Sequence, residues 1–222
     1  MKKKQSINYM IGVAVLSLGL GSAGYADTYE LTDNMPSSGS WDSLGSWHNV
    51  VGGANPASIL PTDDFDMAGF ILRSPTTASP TFNGGSLTSA GANGLMLFKH
   101  TGTATISNLT DTAGMVLING NGGTQSVRLV NYTLGVWSRL SANSGQGLDV
   151  QFEGLSGSGT LRTGDATSQI GYYGLTVTGA SGFSGKIQSV FGTTDWKNDA
   201  DLSGATYEIV TAGYEDVILN SD

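Results

Sequence analysis

The chain has 222 residues, 33 of them glycine and none cysteine, and is 39% hydrophobic but only 13% charged. The lack of cysteine excludes a disulfide scaffold, so stability has to come from a buried core. A formal charge of −8 with no basic cluster in the body of the chain excludes nucleic acid and anionic membrane surfaces as natural partners, since both are repelled by such a surface.

The N-terminus reads as an export signal. Lys2, Lys3 and Lys4 precede an apolar stretch from Met10 to Leu20, and Gly24 and Ala26 suit a signal peptidase. A signal peptide over residues 1–26, cleaved after Ala26, is therefore expected. The apolar stretch is about half of the ~20 residues a bilayer crossing needs, and no later segment is apolar enough to span. Cleavage leaves seven basic against eighteen acidic residues, a net charge of −11. The expected location is the cell surface, the outer membrane or the extracellular space.

Residues 27–68 are the least repetitive and read as an N-terminal cap and lead-in to the first strand. Pro36, Pro56 and Pro61 punctuate them, and Trp41 and Trp47 are candidate plugs for the open end of a stacked fold. "DDFD" (Asp63 to Asp66) reads as a solvated lead-in. His48, in this region, and His100 are both expected to be surface polar residues.

Residues 69–222 carry a repeat. Gly102, Gly114, Gly123, Gly135, Gly145 and Gly157 are spaced by 12, 9, 12, 10 and 12 residues, a period of 21 to 22. Between them lie strand-length runs such as "TATISNL", "MVLIN", "SVRLVNYTL" and "LDVQF". Glycine interrupts every candidate helix. A period near 20 with strands inside it is the mark of a solenoid, in which each coil needs its neighbours to bury its apolar side. The expected fold is all-β, a right-handed parallel β-helix with coils of about 21 residues; a β-sandwich is the alternative. Residues 106, 127 and 148 are expected on neighbouring rungs. The inward set is expected to include Ile106, Leu109, Val116, Ile118, Val127, Val130, Val136, Leu140, Val150 and Phe152. Asn108, Asn119, Asn121, Asn131 and Asn143 recur near the corners, where asparagine tolerates the left-handed backbone and can bond the next coil.

"SWDSLGSWHN" followed by "ILPTDDFDMAGFIL", then "LSGSGTLRTG", "GLTVTGASGFSGKI" and "DLSGATYEIV", resembles bacterial exported proteins with autotransporter-associated β-strand repeats. The resemblance implies a right-handed β-helix displayed or secreted by the cell, with an adhesive or scaffolding role. That family's C-terminal barrel or sorting segment is not read within residues 1–222 and is expected, if present, further on. The chain stops in "EDVILNSD", which reads as a strand, so the repeats are expected to continue past residue 222.

Chemistry-bearing patterns are sparse. No G-x-S-x-G, P-loop or His/Cys spacing for zinc occurs. "DADLSG" matches the first half of a calcium loop, with Asp199, Asp201 and Ser203 and with Asp195 upstream, but Val210 stands where the loop's bidentate Glu belongs. Calcium is the one cofactor weighed, and none is expected to be required. Arg128 and Asp149, 21 residues apart, are expected to pair between coils. Trp137, with Tyr132 shortly before it, is the candidate aromatic platform for a sugar. The sequence points to a non-catalytic, exported scaffold or adhesin-like protein that holds glycans or surface proteins weakly. The alternative is a carbohydrate-active β-helix enzyme of polysaccharide lyase or hydrolase type.

Overall fold

The structure, a computed structural model, describes residues 26–164, 171–198, 202–210 and 215–220. The export signal therefore falls almost entirely outside the described residues. What is described is a parallel β-solenoid of about six turns, with coils about 23 residues apart. Among the described residues the one helical element is the 3-10 turn Leu44–Ser46.

The strands form two sheets. In the first, stacked in spatial order, lie β2 (Trp47–Asn49), β1 (Thr28–Leu31), β3 (Asp64–Asp66), β6 (Ser86–Ser89), β8 (Thr103–Asp111), β10 (Thr124–Leu134), β12 (Gly147–Phe152), β15 (Tyr172–Val177), β17 (Gly192–Asn198) and β19 (Glu215–Asn220); β5 (Thr81–Phe82) joins at β8 and β13 (Leu155–Gly157) at β10. The second sheet stacks β4 (Ile71–Arg73), β7 (Gly94–Phe98), β9 (Met115–Asn119), β11 (Trp137–Ser141), β14 (Thr160–Thr163), β16 (Lys186–Ser189) and β18 (Thr206–Ile209). Successive coils pair in parallel; β2 alone lies antiparallel, against β1.

Alternation along each strand sends every second side chain inward. Ile106, Leu129, Phe152 and Val177 stack in one interior column, and Ala104, Val127, Val150 and Leu175 in the next. All eight are at most 1% exposed. The expected rung of 106, 127 and 148 is thus corrected: Ile106 faces Leu129, and Leu148 faces Gln125. Glycine spacing undercounts the coil because it measures corner to corner, and the corners differ in length. Thr103 faces Ser126, so Gly102 and Gly123 do not stack.

The parity of four expected core residues is corrected too, among them Val116, which is buried but faces the outer side of β9 opposite Leu95 and Arg139. Met115 and Leu117 point inward, leaving Ile118 half-buried on the outside of β9; Val130 is half-buried within β10 and Val136 is 46% exposed. An isolated Val or Ile in a strand does not declare its side, since a shift of one residue inverts the facing.

Asp111, Ser138, Tyr132 and Asn119 form bonded polar groups inside the stack, whereas the buried Trp41 Nε1, Ser89 Oγ and Gln125 Oε1 have no hydrogen-bond partner. Asp111 is fully buried; its Oδ1 accepts from the Gly114 amide at 2.7 Å and the Ala113 amide at 3.2 Å, and its Oδ2 from Ser138 Oγ at 3.0 Å. Tyr132 hydrogen-bonds Ser138 in turn. Asn119 donates to the carbonyls of Gly123 and Gly147, tying its corner to the coil beyond. The asparagine ladder is present on the surface at Asn131, which donates to Asn108 Oδ1 at 3.0 Å.

The N-terminal cap is aromatic. Trp41 and Trp47 are both fully buried. Trp47 donates its Nε1 hydrogen to the Trp41 carbonyl at 2.9 Å and meets the Phe65 ring edge-on at 5.0 Å, while Trp41 meets Phe82 at 6.1 Å.

Candidate functional site

The outward positions of the first sheet line up across coils. Thr103, Ser126, Asp149, Gly174 and Asp195 form one column. Thr105, Arg128, Gln151, Thr176 and Lys197 form the adjacent one. Tyr172 stands beside the first, between Gly147 and Thr193. A groove of about 300 Å³ opens over these columns.

Gly174 shapes the groove. A Cβ there would collide with the carboxylate of Asp149, which lies across the vacant position and takes a backbone hydrogen bond from Gly174. Burial pushes the Asp149 carboxyl up, against the opposing pull of the Gly174 amide and of Lys197. One rung beyond, Asp195 accepts from the Tyr172 hydroxyl at 2.9 Å, and Lys197 Nζ stands 4.0 Å from the same oxygen. Desolvation, then the hydrogen bond to Asp195, drives the Tyr172 phenol up to about 12, so it stays a donor at neutral pH. The Tyr172 ring is 37% exposed.

Arg128 is paired, but with Glu153 rather than with Asp149. Its Nε and Nη2 donate to the two carboxylate oxygens at 2.5 and 2.6 Å. That bond holds Glu153 below the usual carboxylate range. Register explains the correction: Asp149 faces Ser126, and Arg128 faces Gln151.

The structure separates the two aromatic candidates. Tyr132 is fully buried and stacks on Phe152 with ring centroids 5.8 Å apart, so it offers no surface to a sugar. Trp137 lies on the outer side of the second sheet, half-buried, its indole seated over Gly114, where any Cβ would strike the ring. Of the calcium candidates, Asp199 and Asp201 lie outside the described residues; Ser203 sits exposed in a turn and Asp195 belongs to the groove. Among the described residues no three His, Asp or Glu side chains gather to hold a metal.

The "DDFD" carboxylates are engaged rather than merely solvated. Asp63 is buried; Asp64 accepts from Ser86 Oγ at 2.5 Å, and Asp66 from the amides of Ala68 and Ala90. His100 is buried, not on the surface: its Nε2 bonds the Ser126 carbonyl at 2.9 Å and its Nδ1 faces Ser74 Oγ at 3.4 Å.

Sequence reasoning missed the groove because Asp149, Tyr172 and Asp195 meet through one coil of 25 residues followed by one of 21. A fixed period misplaces them. The one local signal was a strand of outward Tyr, Gly and Thr (172–176) set between two outward aspartates.

Chemically the groove combines carboxylate and amide acceptors, hydroxyl and ammonium donors, and one exposed aromatic ring. This defines the class: a parallel β-solenoid with a polar groove on its first sheet. No family model, curated protein or solved structure matches the chain.

Proposed function

We propose that the protein is a non-catalytic, exported β-solenoid scaffold of adhesin-like type whose first-sheet groove holds a neutral glycan weakly. The observation that carries this reading is the Asp149–Tyr172–Asp195 arrangement. Fixed carboxylates accept hydrogen bonds from sugar hydroxyls, and a half-exposed tyrosine offers a flat apolar face to a pyranose ring. The formal charge of −8, which cleavage of the expected signal would take to −11, favours an uncharged ligand at a groove with two carboxylates. The resemblance to autotransporter-associated repeats supports surface display.

Titration of the full chain with neutral oligosaccharides tests the reading. Binding should weaken roughly tenfold or more in Tyr172→Ala and in Asp195→Ala, the loss of about 1.4 kcal/mol expected of one hydrogen bond or ring contact. Unchanged binding in both variants overturns it.

The second reading, a carbohydrate-active enzyme, rests on Asp149, whose carboxyl is pushed up beside a second carboxylate. An acid with raised pKa next to an ionised partner is how glycoside hydrolysis is run. Release of reducing ends from a polysaccharide, lost in Asp149→Asn, would establish it in place of the binding reading.

A further inference from the structure

The chain carries four Asn–Gly pairs, at 83–84, 93–94, 119–120 and 121–122, and the fold treats them differently. An asparagine before glycine is open to attack on its own side-chain amide, because glycine leaves the next backbone nitrogen unshielded and free to rotate. Gly84 is packed against the Phe65 and Phe82 rings, where a Cβ would strike both. Gly94 is buried as the first residue of β7. Asn119 is held by both ends of its amide: its Oδ1 accepts from the Asn121 amide at 2.9 Å, and its Nδ2 donates to the Gly123 and Gly147 carbonyls. The Gly120 N–H behind it already donates to the Phe98 carbonyl at 2.8 Å. The pair Asn121–Gly122 differs from all three. Both residues are exposed, and the space around Gly122 is open. The Gly122 N–H donates to Asn121 Oδ1 at 3.0 Å, so the amide carbon of Asn121 stands one bond beyond the nitrogen that would attack it.

We infer that Asn121 is a modification site, where the side-chain amide deamidates spontaneously in the corner between β9 and β10. The Gly122 nitrogen, once its proton passes to hydroxide, attacks Asn121 Cγ. The new C–N bond closes a succinimide ring, the Cγ–Nδ2 bond breaks, and the nitrogen leaves as ammonia with a proton taken from water. A second water then opens either ring carbonyl. One opening gives aspartate; the other gives isoaspartate, with the main chain rerouted through Cβ and Cγ. Attack needs the two atoms about 3–3.5 Å apart, a separation that a small rotation of an exposed side chain beside a glycine supplies. The consequence reaches past the surface. The Gly123 carbonyl, at the end of this corner, accepts from Asn119 Nδ2 at 2.8 Å and from the Gly147 amide at 3.0 Å. Isoaspartate adds a backbone atom inside the corner and so works against the bonds that tie it to the next coil. Aspartate adds only a charge at an exposed position. The site is separate from the first-sheet groove and does not depend on any glycan.

The test is ageing of the full chain in mildly alkaline buffer, folded and in urea, followed by peptide mass mapping. In the folded chain the mass shift of exchanging NH2 for OH should accumulate at Asn121 well ahead of Asn83, Asn93 and Asn119. In urea, where the fold no longer shields any of them, the four should react at comparable rates. Gly122→Ala, set in open space at a φ outside the left-handed region, should slow the reaction at Asn121 severalfold, because a Cβ shields the attacking nitrogen; circular dichroism confirms that this variant is folded. An isoaspartyl methyltransferase should label the aged folded chain. The labelled fraction should unfold at a lower urea midpoint than Asn121→Asp, which carries the charge without the rerouted backbone. No product at Asn121 in the folded chain over a period that suffices in urea, equal reaction at all four asparagines in the folded chain, or undiminished reaction in Gly122→Ala would overturn the inference. A labelled fraction that unfolds at the same midpoint as Asn121→Asp would overturn the effect on the corner.

Discussion

The interior is covered differently over the first coil and over β18. At the N-terminal end the interior finishes in fused aromatic packing, with Trp41, Trp47, Phe65 and Phe82 in mutual ring contact and all at most 2% exposed. There β2 turns antiparallel against β1. At β18 the inward column Met115, Ser138, Leu161, Ile187 continues to Tyr207, yet Tyr207 is 48% exposed and Ile209 57%, where Ile187 is 5%. Identical register thus gives opposite burial. A solenoid position is apolar and buried because a further coil or a cap lies over it, and strand alternation alone does not supply that cover.

The contrast can be broken most forcefully at the cap. Trp47→Ala removes a fully buried indole and its hydrogen bond to Trp41, and should cost about 3–5 kcal/mol, read as a lowered urea midpoint. An unchanged midpoint would mean that the aromatic cluster seals nothing. Next comes the middle of the stack. Asp111→Ala leaves the Gly114 amide and the Ser138 hydroxyl without their buried acceptor, and should cost about 1–3 kcal/mol; Asp111→Asn, which keeps an acceptor for the amides, should cost clearly less by the same measurement.

A smaller and pH-dependent effect is expected at His100, which links a coil on either side through Ser74 and Ser126. Burial lowers its pKa from the ordinary 6.5, so the folded state binds fewer protons than the unfolded one. The stability it supports is complete above about 6.5 and declines as pH falls below that value towards the lower folded pKa. Urea midpoints between pH 7.5 and pH 5 should show this decline, and His100→Gln should flatten it. The smallest effect belongs to β18: Ile209→Thr should change stability by no more than about 0.5 kcal/mol. A loss comparable to that of Trp47→Ala would show that Ile209 is covered as fully as the aromatic cluster.

Much of the architecture was legible along the chain. Glycine punctuation, strand-length runs and near-absent helix signals pointed to stacked coils, and two tryptophans in a non-repeating lead-in pointed to a plug. Ile106, Val127, Leu140, Val150 and Phe152 were read as interior and are buried. Val116, Ile118, Val130 and Val136 were not readable, because apolar residues also occupy outward positions on this surface. The groove was less legible still. Asp149 looked like a partner for Arg128 at a spacing of 21, but the coil is 23 residues there, which sets Asp149 opposite Ser126 and Arg128 opposite Gln151, within reach of Glu153. Trp137 was legible as an aromatic of interest.

Composition and periodicity by themselves determined that this chain winds, because glycine at corners and alternation within strands are local properties that only stacked coils satisfy together. Which side chains share a rung was decided by the tertiary structure alone. Registry depends on the summed length of the turns in each coil, and an uncertainty of one or two residues in that sum moves every outward group to a different neighbour.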